Sequence, residues 1–373
     1  MPWQECSTMS SRQEFLSLAS QPGSNFSRLC RRFGVSRKTG YKWLQRYQGG
    51  SLEWRDRSRR PRYSPSRTEA AIEDKVLAVR DQSGWGARKI QWCLKRNHQL
   101  VIAKSTVHSI LQRHGRVTVS SQPGPRGYQR FEQEQPNQLW QMDFKGYFAL
   151  GNGESCHPLT VLDDHSRYSL CLQACRNEQT ATVKEHLTTT FRRYGLPERM
   201  LMDNGPPWGS DRQHQYTPLT VWLMRLGVGV SHSRPYHPQT QGKDERFHRS
   251  LKAEVLAGRT FGDFARMQRR FNEWRHCYNH QRPHEALAME VPASRYQVSQ
   301  RSFPEQLPPF EYGAIDEVRK VQIDGTIYFR GRELRLSKAF RGQHVAVRPT
   351  VADGVHDVYF VTHRISTIDL RQS

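Results

Sequence analysis

Through the N-terminal part of the chain, apolar positions recur every three or four residues. They then alternate in twos, return to helical spacing, and alternate again at the C-terminal end. Those changes of period divide the sequence, because helices place every third or fourth side chain on one face and strands every second. Phe26, Leu29, Cys30 and Phe33 mark a first helix with Ser24 as candidate N-cap. Gly34-Val35 then allows a tight turn, and Ser36 caps a helix through Tyr47 with Trp43 and Leu44 inward. The spacing predicts three more helices: 70–81, 87–98 with Ile90, Cys93 and Leu94 inward, and one capped by Ser105 with Val107, Ile110 and Leu111 inward. The first pair reads as a helix-turn-helix or, taken alone, as an ordinary amphipathic pair with a solvated face, and with the second group the chain reads as two tandem helix-turn-helix units.

From Gln138 the period is two. Trp140, Met142 and Phe144 fall on one face of a strand, and 158–163 and 167–175 give two more. Val183, Leu187 and Phe191 mark a helix over 177–194, closed by Gly195 and Pro197. A short strand over 200–202, a helix over 219–226, an edge strand over 227–231 and a helix over 242–257 follow. Phe264, Met267, Phe271, Trp274 and Tyr278 then mark a long amphipathic helix. This order predicts an α/β layer with a mixed sheet. Beyond Glu317 valine and isoleucine alternate, Asp324-Gly325 signals a hairpin, and the short strands predict a small basic β-barrel.

Composition narrows the partners. The 373 residues hold 57 Lys and Arg against 35 Asp and Glu, a net charge of +22. Such an excess is the footprint of a protein that binds a polyanion. Residues 55–67 read RDRSRRPRYSPSR, with six arginines, one aspartate and two prolines, an extended linker suited to lie along DNA. On the outer face of the helix after Ser36, Arg37, Lys38, Tyr41 and Lys42 are residue types that reach phosphates and base edges. Arg55, Arg57, Arg59, Arg60 and Arg62 extend that set into the linker. The N-terminus carries no apolar signal region and no run approaches twenty apolar residues, so the protein is expected in the cytoplasm, nucleoid-associated. The seven cysteines form no CxxC pair and suggest neither a disulfide framework nor a zinc site. Cys171 and Cys175 share one strand face and read as core.

The chemistry gathers in three acids. Asp143 lies within the first strand (WQMDFKG), Asp203 ends a central one (LMDNG), and Glu245 opens a helix (GKDERFHRSLK). Adjacent strands and a crossing helix can bring such acids together as ligands of two divalent ions about 3.5–4 Å apart, the arrangement for in-line displacement at phosphorus. Oxygen-only ligands favour Mg²⁺, with Mn²⁺ able to substitute. His248, Arg249 and Lys252 follow Glu245 at i+3, i+4 and i+7 as a cationic stripe, opposite an apolar face of Phe247, Leu251 and Val255. Asp163, Asp164, Asp244 and Glu254 read as solvated surface charges, although Asp164 could sit near the site.

From WQMDFKG through VLDDHSRY, LMDNG and HPQTQGKDERFHRSLK to YNHQRPHEAL, the chain resembles the catalytic core of bacterial insertion-sequence transposases of the DDE, retroviral-integrase superfamily. The resemblance covers roughly 130–300. It implies an RNase-H-like core, with Asp143, Asp203 and Glu245 as the catalytic and metal-binding acids and Asn204-Gly205 as the turn after the second. It also implies Lys243 and Arg246 as DNA contacts beside Arg249 and Lys252. Water and then a freed 3′-hydroxyl would be the nucleophiles. Two departures stand out. Asp203 and Glu245 are 42 positions apart, longer than in many relatives, with the surplus placed in PPWGSDRQHQYTP, and no His/Cys zinc segment is present at the N-terminus.

The expected organisation is multidomain: a tandem helix-turn-helix region, an RNase-H-like mixed-sheet core and a small C-terminal β-barrel. Its segments are 1–50 helix-turn-helix, 51–68 arginine-rich linker, 69–116 second, winged-type helix-turn-helix, 117–137 linker, 138–300 core and 310–373 barrel. The expected function is a transposase that binds terminal inverted repeats, cleaves at the element ends and joins the 3′-ends to target DNA. Double-stranded DNA would be the partner, with a homodimer or higher multimer on it and no membrane. A non-catalytic DNA-binding regulator with a degenerate core, and a nuclease that cuts without joining, are the alternatives.

Overall fold

Three short helices pack around aromatic rings in the first unit. They are α1 (Thr8–Ala19), α2 (Phe26–Arg32) and α3 (Arg37–Gln48). Phe15 meets Phe26 and Phe33 edge-on, and Leu16, Cys30 and Trp43 complete the buried cluster. Ser36 caps α3 by accepting from the Thr39 amide, as the pattern predicts. The cap of α2 is Asn25, which accepts from the Arg28 amide; Ser24 instead donates back to the Ala19 carbonyl. Gly40 lies where α3 crosses its neighbours, and a Cβ there would stand 2.9 Å from both Cys30 Sγ and Phe26 Cζ.

The computed structural model describes residues 8–49, 56, 67–117, 132–209, 216–232, 242–307 and 309–371. It forms two compact units, Met1–Arg67 and Thr68–Ser373. Arg55, Arg57, Arg59, Arg60 and Arg62 of the linker lie outside the described residues.

The second unit begins with α4 (Ala70–Ser83), α5 (Ala87–His98) and α6 (Lys104–Arg113) around Val76, Ile90, Leu94, Val107 and Ile110. The N-cap of α6 is Ala103, without a side-chain bond, so Ser105 lies inside the helix rather than capping it. Among the described residues 67–117 there is no strand to form a wing. Buried Glu73 ties the bundle together, accepting from Arg113 at 2.7 Å and pairing with His114 at 2.9 Å.

The central sheet holds β1 (Leu139–Phe144), β2 (Phe148–Ala149), β3 (Ser155–Asp163), β4 (Ser169–Cys175), β5 (Arg199–Met202) and β6 (Gly229–His232). β3 pairs antiparallel with β1, β2 and β4, while β1 and β5, and β5 and β6, pair in parallel. The mixed sheet is therefore as the alternation predicts. Trp140 and Met142 bury one face together with α7 (Thr180–Tyr194), α8 (Pro218–Arg225), Cys171 and Cys175. Leu162 and Leu172 bury the other face against α9 (Gly242–Leu251) and α10 (Phe264–His280). The helix expected over 242–257 is not uniform: α9 ends at Leu251 and a π-helical turn, Lys252–Leu256, follows. Arg282 and Trp274 hold that turn through Glu254, at 3.0 and 2.9 Å.

The C-terminal strands form an open sheet, not a barrel. β7 (Glu317–Lys320), β10 (His344–Pro349), β11 (Val355–Phe360) and β12 (His363–Asp369) run antiparallel in the order β12-β11-β10-β7, so β12 and β7 lie at opposite edges. β8 (Thr326–Phe329) and β9 (Arg332–Arg335) form a separate hairpin. Closure is unnecessary because Ile327 and Phe329 of the hairpin, with Val221 and Met224 of α8, cover the sheet's apolar side chains. The hairpin turn is Arg330-Gly331, both at positive φ, the geometry that suits a two-residue connection. Asp324-Gly325 instead turns the chain between the two sheets.

Candidate active site

Strand alternation sends Trp140 and Met142 to one face of the sheet and Gln141 and Asp143 to the other, where α9 lies. β5 runs parallel beside β1 with Gln141 opposite Leu201. Continued two residues, that register sets Asp203 beside Asp143. Asp203 follows β5 in a fixed turn: its carboxylate accepts the Gly205 amide at 3.0 Å, and its carbonyl lies 2.8 Å from His232 Nδ1. Trp208 is buried there against the ring of Phe144, centroids 5.5 Å apart. Part of PPWGSDRQHQYTP is thus core rather than a polar insertion, and residues 210–215 lie outside the described residues.

Little offsets the charge of these two acids. Burial, and then the neighbouring Asp203 carboxylate, push the Asp143 carboxyl up to about 7. Burial also raises Asp203. Two carboxyls side by side cannot both ionise cheaply without a cation.

Helix α9 presents something other than the expected stripe. Glu245 is exposed, and among the described residues no three acid, histidine or cysteine groups are grouped closely enough to hold a metal. Asp244, expected on the surface, is fully buried on the core face of α9, three residues before Phe247 and seven before Leu251. Both its carboxylate oxygens lack a hydrogen-bond partner among the described residues. Burial, then the charge of Asp143, raise its carboxyl well above the usual range. His248 is buried too, and burial followed by the Lys145 charge lowers it to about 3. It is neutral, so its 3.8 Å separation from Asp143 is not an ion pair and it leaves the cationic stripe.

The remaining expected contacts divide. Arg246, Arg249 and Lys252 are exposed along α9, and Arg37, Lys38, Tyr41 and Lys42 are exposed along α3, where Tyr41 stacks on Phe26 with centroids 4.2 Å apart. Lys243 turns inward to the buried carboxylate and carbonyl of Asp164. Burial and the charge of Arg167 lower its ammonium to about 8.

Asp163 and Asp164 are buried rather than solvated. Asp163 accepts from the Asn137 and Ser166 amides and the Ser166 hydroxyl, at 2.6–2.8 Å. Asp164 accepts from the Gln133 amide at 2.9 Å and Gln141 Nε2 at 2.8 Å. Glu254 is half-buried in its pair with Arg282. One site residue went unnoticed in the sequence. Thr160 is the cross-strand partner of Asp143 and donates to its carbonyl at 2.9 Å. A hydroxyl inside the apolar run PLTVL was the available signal.

Asp143 and Asp203 fit a divalent cation: both are oxygen donors, and the charges of Lys145 and His232 only partly offset the burial that raises their carboxyls. Glu245 stands on the same helix, outside the pair's immediate surroundings.

The mixed sheet, with Asp143 on β1, Asp203 just after the parallel β5 and α9 packed beside β1, lies in the segment that matches integrase core domains. Residues 133–238 and 226–292 match two integrase core domain families, and 8–53 and 39–111 match two homeodomain-like domain families. Residues 316–373 match the C-terminal domain of the IS481 family transposases. Residues 133–292 thus carry an integrase core domain, and 316–373 are similar to the C-terminal domain of insertion-sequence transposases. It is 28% identical over 158 residues to an uncharacterized 31.7 kDa protein of insertion element IS407 from Burkholderia multivorans, covering 42% of this chain and 54% of that one. Over 121 residues it is 36% identical to the Gag-Pro-Pol polyprotein of Mason-Pfizer monkey virus, covering 32% of this chain and 6% of that one. The matched stretch thus spans about half the length of the insertion-element relative. Among solved structures, the HTLV-2 integrase catalytic core in complex with magnesium is similar at 12% identity and a TM-score of 0.34, over 44% of this chain and 99% of that one.

Proposed function

We propose that this protein is a DNA transposase that binds the terminal inverted repeats of its element, cleaves at the element ends and joins the 3′-ends to target DNA. The observation that carries the reading is the side-by-side placement of Asp143 and Asp203, with the Asp143 carboxyl raised by burial and by its neighbour, at the ends of parallel strands. Asp143, Asp203 and Glu245 are the proposed holders of two Mg²⁺ ions, for which Mn²⁺ can substitute. Bound there, the ions would activate the attacking oxygen and stabilise the leaving one. The protein's own part is positional: β1 and β5 fix two carboxylates, and the β5–α8 turn is pinned by His232 and Trp208. Arg246, Arg249 and Lys252 line the approach for a phosphate backbone.

Arg37, Lys38, Tyr41 and Lys42, with the linker arginines 55, 57, 59, 60 and 62, are the proposed sequence-reading and backbone contacts. The helix-turn-helix, linker and core boundaries expected from the sequence are retained, with 310–373 as an open sheet. Two ends must be held for joining, so a dimer or higher multimer on DNA belongs to the same proposal, as does a cytoplasmic, nucleoid-associated location. No described helix is long and apolar enough to cross a membrane.

The test is metal-dependent cleavage and joining of terminal-repeat DNA by Asp143→Asn, Asp203→Asn and Glu245→Gln. Each should lower both steps by at least about 100-fold, several kcal/mol of transition-state stabilisation, with DNA binding kept. Wild-type joining by any one of them would remove that acid, and by all three the reaction.

A further inference from the structure

The first turn of α9 is held from one side by a buried pair. Lys243, its side chain only 15% exposed, donates from Nζ to the Asp164 carboxylate and, at 3.2 Å, to the Asp164 carbonyl. Asp164 is itself fixed. Its amide donates to the Leu139 carbonyl, and its carboxylate accepts from the Gln133 amide and from Gln141 Nε2, all at 2.8–2.9 Å. Leu139 and Gln141 belong to β1, the strand that carries Asp143. The pair thus ties the start of α9 to the strand of the first acid.

Successive helix residues lie about 100° apart around the axis, so Lys243 and Glu245 stand about 200° apart. The buried side of α9, with Asp244, Phe247 and Leu251, faces between them. His248, one turn after Glu245, has Nδ1 3.8 Å from Asp143 Oδ2, so the flank that carries Glu245 is the one turned toward the first acid. Apolar contacts are non-directional and set the rotation of such a helix loosely. A directed bond on the opposite flank sets it sharply. A rotation of roughly 20° carries a side-chain tip, about 5–6 Å from the axis, through about 2 Å. A misplacement of about 1 Å can cost about 100-fold in rate.

The same pair argues against Lys243 as a DNA contact. Removing one partner from a buried ion pair costs about 3–5 kcal/mol, whereas an exposed pair returns about 0–1 kcal/mol. Reaching out to a phosphate would lose more than it gains.

We propose that Lys243 is a positioning residue: its bonds to Asp164 set the rotation of α9 and so the direction in which Glu245 faces. The role rests on the proposed reaction, in which Glu245 takes part.

Full-length protein on terminal-repeat DNA tests it, with affinity, salt dependence and Mg²⁺-dependent cutting at saturating DNA measured together. Lys243→Met/Asp164→Asn removes both charges, a change that buried pairs often tolerate, and should unfold near the wild-type temperature. It should bind DNA with wild-type affinity and salt slope yet cut about ten-fold more slowly or worse. Lys243→Gln loses the charge and one of the two bonds but keeps a donor toward Asp164. It should show the same split, and it decides if the double variant does not fold. A phosphate contact predicts the reverse: weaker binding, a salt slope smaller by about one, and wild-type turnover at saturation. That result overturns the role, and so does wild-type cutting by the variant that decides. If the wild-type protein binds the DNA and does not cut it, the proposed reaction falls, and this role with it.

Discussion

Two groups of acids stand on the same sheet, and their hydrogen-bond surroundings differ. At the β3–β4 turn, Asp163 and Asp164 are surrounded by donors: backbone amides, the Ser166 hydroxyl, Gln141 and Lys243. At the ends of β1 and β5, Asp143 and Asp203 share a few backbone contacts and each other's repulsion, with Asp244 unpartnered behind them. The satisfied group holds the fold. The unsatisfied group stores a demand for positive charge, which a protein keeps only where a ligand meets it.

The largest effect that would sharpen this contrast is the loss of a satisfied acid. Asp164→Ala leaves the ammonium of Lys243 and the Gln133 and Gln141 donors without their carboxylate. Removing one partner of a buried pair costs about 3–5 kcal/mol, so urea unfolding should show a loss of that size. A loss under about 1 kcal/mol would mean that the two groups do not differ as described.

A smaller effect concerns Asp143 and pH. Its folded carboxyl, near 7, keeps a proton that the unfolded chain releases near 3.8. The folded state therefore binds more protons between those values, and metal-free stability falls as pH rises from about 4 to about 7. Asp143→Asn removes that fall, so it should be more stable than wild type by roughly 2 kcal/mol at pH 8 and no more stable at pH 4. Mg²⁺ should raise the wild-type unfolding temperature more at pH 8 than at pH 5. Parallel pH profiles for the two proteins would contradict the raised carboxyl of Asp143.

The smallest effect is a gain. Asp244 occupies an apolar position of α9, so Asp244→Val should stabilise the metal-free protein by about 1 kcal/mol, read by thermal unfolding. A clear loss would show that the orphaned carboxyl has a partner.

Much of the fold was legible in the chain. Period-two alternation in 138–144 and period-four spacing in 183–191 identified β1 and α7, because burial against one partner face leaves that imprint. The end of α9 was not legible: 252–256 keeps helical spacing, and the widened turn rests on Glu254 meeting Trp274 and Arg282 from distant segments. The barrel expectation failed for a related reason. Alternation identifies strands, but whether edge strands meet depends on what covers them, here the β8–β9 hairpin and α8.

The acids show the same division. Local contexts, DNG after a strand and GKDER at a helix start, made Asp203 and Glu245 the candidates, because turns and helix starts are local. Their surroundings were not local. Asp163, Asp164 and Asp244 look in sequence like any surface acid, and only the packing of α9 on the sheet sets which of them meet donors and which meet one another. Thr160 and His248 are 88 positions apart, and no spacing rule joins them. The sequence by itself determined most of the strands and helices and the acid-bearing motifs, carried by short-range periodicity and turn chemistry. Tertiary structure alone decided burial and hydrogen-bond satisfaction, because those depend on solvent exclusion and on partners that only folding brings within 3 Å.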